Sequence, residues 1–147
     1  ADLSSRITER LVDDAQASGF VPPVDVLGFI GRNPAWPVMR RAELAESLGG
    51  VERLIVIEIS EYRLRESGNR YLWDGQAAGL ISVMETDGPL PDQPIFQRQI
   101  RVQFPDTGGF TEDDMSAQLV QSALAQRFSN RAAWLFFDHE EPPGITY

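Results

Sequence analysis

The chain has 147 residues, 42% of them hydrophobic, enough for one well-buried domain and too few for two. All 13 basic residues are arginine and they face 22 acidic ones, for a formal net charge of -9, so the average field repels phosphate backbones and anionic headgroups and no nucleic-acid partner is expected. The absence of cysteine excludes disulfides, thiolate metal sites and cysteine nucleophiles, and no apolar run approaches the ~20 residues of a membrane span.

Asp2 caps a first predicted helix, in which Leu3, Ile7, Leu11 and Ala15 recur at helical spacing until Gly19 stops it. The chain opens at Ala1 directly in this pattern, which leads us to expect an upstream segment such as an export signal or tether. Phe20-Val21-Pro22-Pro23 reads as a short extended segment, followed by a helix from about Val24 or Asp25 to Arg32 that buries Val26, Leu27, Phe29 and Ile30. Pro37 suits the first turn of a third helix running to Leu48, and Gly49 supplies its left-handed stop.

Leu54-Ile55-Val56-Ile57 then reads as the start of a strand covered on both faces. Continued to Arg65, it sets Ile55, Ile57 and Ile59 on one face against Tyr62 and Leu64 on the other, a conflict that a bulge or strong twist near Ser60 resolves. Ser67-Gly68-Asn69 turns the chain into a second strand, Tyr71 to Met84, giving a long antiparallel hairpin. Gly88-Pro89 and Pro91 mark a loop. A third strand, Ile95 to Phe104, alternates cleanly, with Phe96, Ile100, Val102 and Phe104 inward and Gln97, Gln99, Arg101 and Gln103 toward water.

Thr111 with Asp114 marks the start of a last helix, whose buried stripe is Val120, Leu124 and Phe128 and whose stop is Asn130. Trp134-Leu135-Phe136-Phe137 reads as a further strand, so that the helix becomes a crossover and the sheet is mixed. The expected fold is an α/β (α+β) domain over residues 1–141, with a mixed, largely antiparallel sheet, a long hairpin and about four flanking helices. Residues 142–147 are expected to form an extended tail.

The order helix, short strand, helix, then the helix ending Glu43-Leu44-Ala45-Glu46-Ser47-Leu48-Gly49-Gly50, the hydrophobic strand Val51 to Ile59 and a hairpin, resembles the amino-terminal domain of TolB and related domains of bacterial envelope lipoproteins such as LpoB and CsgG. The carboxyl half, from Tyr71-Leu72-Trp73-Asp74-Gly75 to Phe136-Phe137-Asp138-His139, is similar to uncharacterised bacterial lipoproteins. The resemblance implies a periplasmic or outer-membrane-anchored, non-enzymatic domain that docks on other envelope proteins. Its membrane attachment would run only through an upstream lipid anchor outside this chain. It carries over no catalytic residue, metal or cofactor.

Candidate site residues are few. Trp36, held between Asn33-Pro34-Ala35 and Pro37, is either an aromatic anchor for a partner or a lid on its own core. Gly75, Ala77 and Gly79 leave a strand with little side chain, which admits a packed helix or a second protein chain. Glu58, Asp74 and Arg98 are candidates for a buried polar cluster within the sheet. Asp138, His139 and Glu140 form a carboxylate–imidazole corner, the site of an alternative reading as a hydrolase or small-ligand enzyme working with Glu58 or Asp74. The lone histidine supplies too few ligands for a catalytic metal. A strand edge is a possible route to a homo-oligomer.

Overall fold

Three segments of period-two alternation, each eleven residues long, build the sheet. The computed structural model describes residues 20–136, 139–141 and 143. Within them β1 (Arg53–Arg63), β2 (Gly75–Glu85) and β3 (Pro94–Phe104) lie in the order β1-β2-β3, each antiparallel to its neighbour. Three helices accompany them, α1 (Pro23–Arg32), α2 (Arg41–Ser47) and α3 (Ala117–Ala133), with one 3-10 turn at Trp36–Val38. The fold is α+β. The first predicted helix, within residues 1–19, and most of the expected tail lie outside the described residues.

The sheet is antiparallel where a mixed one was expected, because Trp134-Leu135-Phe136 does not become a strand. α3 runs past Asn130 to Ala133, and the N–H groups of Trp134, Leu135 and Phe136 donate to the carbonyls of Asn130, Ala132 and Ala133 in closing turns. Leu135 and Phe136 still reach the core, so the apolar run covers the end of a helix. Phe137 lies outside the described residues.

Each face of the sheet takes a different helix layer. On one, Ala77 and Ile81 of β2 and Ile100 and Val102 of β3 pack under Val120, Leu124, Phe128 and Ala132 of α3, all at most 2% exposed. On the other, Phe29 of α1 and Leu44 and Ala45 of α2 cover Leu54, Val56 and Met84. Burying a side chain of the size of Leu44 or Phe29 contributes about 2 kcal/mol, which is how a seven-residue helix too short to hold alone is kept in place. Within β1 only Leu54 to Ile57 is covered on both faces. From Glu58 to Ser60 β1 is exposed: α1 and α2 cover their face only as far as Val56, and Ile59, on the face of α3, lies at its margin and is 40% exposed.

The predicted third helix is split in two. Met39 and Arg40 are extended, with ψ of 149° and 146°, and α2 starts afresh at Arg41. Glu43 marks that start: its carboxylate accepts from the Arg40 backbone N–H at 3.3 Å and from the Arg40 guanidinium at 3.1 Å. Gly49 and Gly50, at φ of 96° and 76°, end α2 as the sequence suggests, and the Gly50 N–H donates to the Ala45 carbonyl at 2.9 Å.

The register of β1 on β2 shifts between Ile59 and Glu61, leaving Ser60 as the extra residue. The bulge sets Tyr62 opposite Ala77, on the face of Ile55, Ile57 and Ile59, so the conflict in the sequence pattern disappears. β2 starts at Gly75, four residues later than expected. The connection 64–74 is instead held by the Trp73 N–H on the Phe110 carbonyl and by the Trp73 indole N–H on the Thr111 and Met115 carbonyls, each at 2.9 Å. Thr111 and Asp114 do bond each other, at 2.8 Å from the Thr111 N–H, but in a turn before α3. The N-cap of α3 is Ser116, whose Oγ accepts from the Leu119 N–H.

Candidate functional site

The small-residue stretch of β2 is accounted for inside the domain. A methyl group on Gly75 would stand 2.6 Å from the Phe104 carbonyl oxygen, 2.8 Å from Leu124 Cδ1 and 2.9 Å from Val120 Cγ1. On Gly79 it would stand 2.8 Å from the Glu58 carbonyl oxygen and 2.9 Å from Phe128 Cζ. Gly75, Ala77 and Gly79 are therefore the seat of α3, and that face has no room for a second chain. Trp36 is half-buried against the cluster of α1 and α2, so it lies over its own core.

Glu58, Asp74 and Arg98 do not come together. Ile57 stands opposite Ile81, and Ile81 opposite Arg98, so Arg98 shares the face of α3. Glu58 lies in the row Glu58-Leu80-Gln99 on the other face. Asp74 accepts from Arg63 at 2.9 Å. The expected cluster is corrected by the register, and Glu58 and Arg98 are both exposed.

At the other corner His139 stacks on Trp134, with ring centroids 4.4 Å apart and an interplanar angle of 4°, and its Nε2 lies 3.7 Å from Glu141 Oε1. Glu140 is exposed, and Asp138 lies outside the described residues. A cleft of about 300 Å³ opens elsewhere, between the 64–74 connection and the loop after β3, lined among others by Glu66, Trp73, Asp74, Asp106 and Gly109. It takes in Asp74 but neither Glu58 nor His139. Two of its carboxylates already have partners: Asp74 accepts from Arg63, and Arg127 grips Asp106 through two bonds of 2.7 and 3.0 Å, a guanidinium that holds the Asp106 carboxyl below its usual range. Among the described residues no group of three or more histidine, aspartate and glutamate side chains is placed to hold a metal.

Two features were not evident before the register was known. The first is a polar lattice on the sheet face away from α3. Glu61, Ala78 and Arg101 form one row, and Arg101 reaches Glu61 at 2.8 Å across Ala78, which is 1% exposed beneath the bridge. Arg63 bonds Glu61 at 3.0 Å and, together with Arg101, holds that carboxyl below the usual range; Arg101 also bonds the Gln76 amide oxygen at 2.9 Å.

The second feature is the outer half of β3. From Pro94 to Gln99 every residue is exposed on whichever face it lies, and β3 is an edge of the sheet among the described residues. The far end is closed: Arg127 donates to the Gln103 carbonyl at 2.5 Å, and Ile100 and Val102 are buried. The Arg98 side chain, between Phe96 and Ile100 on the face of α3, makes no hydrogen bond or ion pair with a described residue. A strand bare on both faces and along one edge can accept another strand, and it is the candidate functional site of this domain. Comparison of the chain with family models, with curated proteins and with solved structures returned no match.

Proposed function

We propose that this is a non-enzymatic interaction domain of the bacterial cell envelope, working in protein–protein interaction or envelope assembly. The observation that carries the reading is the outer half of β3, where Ile95 is 57% and Phe96 38% exposed on a strand whose outer backbone groups have no strand beside them among the described residues. Apolar side chains on an edge strand stabilise a complex by burial while the backbone supplies hydrogen bonds of fixed direction. Placement in the envelope rests on the resemblance of the helix ending Leu48-Gly49-Gly50 and the strand Val51 to Ile59 to TolB-like domains of envelope lipoproteins. The partners are then other envelope proteins, with attachment to the membrane through a lipid anchor upstream.

The test uses the natural gene with an epitope tag in its own bacterium. A photo-crosslinking residue is placed at Gln97 on β3 or, as a control, at the exposed Gln121 on α3. The reading expects the protein in the envelope fraction and discrete adducts from position 97 alone. A cytosolic location would overturn the envelope assignment. Hydrolytic turnover by the purified domain, lost on His139→Ala, would overturn the non-enzymatic one.

A further inference from the structure

We propose that the edge of β3 takes as its partner an extended acidic segment of another protein, added as a fourth strand and read through Arg98. This rests on the interaction reading above and names the chemistry of its partner.

The charge of this edge runs against the charge of the molecule. The chain carries -9 overall, yet Pro94–Phe104 holds Arg98 and Arg101, three glutamines and no acid. Arg101 is occupied by Glu61 and Gln76 across the sheet, whereas Arg98 is uncommitted among the described residues. A charge on the apolar side of an edge strand is a usual guard against indiscriminate pairing, since a neighbouring strand with an apolar or basic residue opposite it leaves that charge unmatched. The guard admits a strand that carries a carboxylate there, which makes Arg98 a selector.

Register sets the rest of the pattern. Phe96, Arg98 and Ile100 share one face, and Gln97, Gln99 and Arg101 the other. An antiparallel partner running past Arg101 toward Phe96 therefore fits with the order acid, apolar, polar, acid, polar, apolar, in which the acid opposite Arg98 is the one selected and the acid opposite Arg101 meets a guanidinium that Glu61 already holds but that is still 57% exposed. A second copy of this chain fits worse, because pairing β3 with itself crowds four arginines onto one short ladder. β1, the other edge, breaks its ladder in mid-strand with the bulge at Ser60, whereas the irregularity of β3, at Ile95, falls at the start of the strand and leaves Phe96 to Phe104 in unbroken register.

The experiment titrates the whole domain, labelled with nitrogen-15, with a blocked peptide containing Glu-Val-Thr-Glu-Thr-Val, a second with both glutamates replaced by glutamine, and a third with both replaced by lysine. The inference expects saturable binding of the first peptide that weakens with salt and shifts the amides of residues 95–101. Arg98→Glu, at an exposed position, should weaken it about tenfold and turn the preference toward the lysine peptide. Circular dichroism of the variant should match the parent. Equal binding of the acidic and neutral peptides, shifts confined to β1, or no binding of any peptide would each overturn the inference while leaving the crosslinking test of the interaction reading untouched. So would a concentration-dependent dimer abolished by Arg98→Glu, which would make a second copy the occupant, or single-stranded DNA competing for the same amides.

Discussion

Replacing Gly75 with alanine tests the packing that organises this domain, because one methyl group has nowhere to go. It would meet the Phe104 carbonyl oxygen at 2.6 Å, a backbone atom fixed by the ladder, as well as Leu124 Cδ1 at 2.8 Å and Val120 Cγ1 at 2.9 Å. Elsewhere in a strand the change would stabilise by about 0.5–1 kcal/mol through the unfolded chain. Overpacking of a tight core costs about 1–3 kcal/mol, and a contact against backbone belongs at the upper end, so the net loss is about 2 kcal/mol. Spread over 147 residues, the usual unfolding entropy of about 2 cal/mol/K per residue makes this a fall in Tm of about 6 °C. Urea unfolding should show a lower midpoint at unchanged m. Gly108→Ala, where nothing lies within 4 Å of the added carbon, is the control and should stay within about 0.5 kcal/mol. Leu124→Ala alone should cost about 2–5 kcal/mol, and in its background the Gly75 change should cost about 1 kcal/mol less. A neutral Gly75→Ala, or strict additivity with Leu124→Ala, would refute the seating of α3 on this glycine.

Two further outcomes follow from the loops. Asp106 has its pKa held low by the Arg127 hydrogen bonds, so its contribution is present at neutral pH and is lost as pH falls through the folded-state value. Asp106→Ala should therefore cost about 1 kcal/mol near pH 7, the aspartate being partly exposed, and the gap from the parent should close in acid; a gap that widens in acid would reverse the assigned sign. Trp73→Phe removes the indole donor to Thr111 and Met115 and weakens the stack under Arg65, whose Cζ lies 4.2 Å from the ring centroid. It should cost about 1–2 kcal/mol and speed amide exchange in residues 64–74 ahead of the sheet; uniform loss of protection would show that the connection is not held by Trp73.

What local pattern determines was legible: the helix before Gly49, the bulge at Ser60 and the wet side of β3 all follow from spacing and glycine placement, because each is settled within a few residues. Two readings failed where the outcome depends on distant parts of the chain. Trp134-Leu135-Phe136 has the composition of a buried strand, but after α3 no edge of the sheet receives it, and turn hydrogen bonds satisfy its backbone. Glu58 and Arg98 lie at even positions of strands that are each apolar on one side, which suggested a pair. Odd positions of β1 share a face with even positions of β3, a relation fixed only by two loop lengths, so the pair is divided by the sheet.

The candidate site was hidden for the same reason, although its elements were in view. Arg98 stands out in the alternation of β3, yet whether it faces solvent depends on how far the last helix reaches across the strand. Gly75 and Gly79 determine that reach. Val120 and Leu124 settle onto the first and Phe128 onto the second, beside the rows that contain Phe104 and Ile100. Ile81 is fully buried one row further on, but its neighbour Arg98 is exposed, and beyond it Phe96 is only partly covered. The two glycines that let α3 lie close to one end of β2 thus leave the opposite end of β3 bare. The stability of the core and the accessibility of the edge have one cause, and a substitution that shifts α3 along the sheet should alter both together.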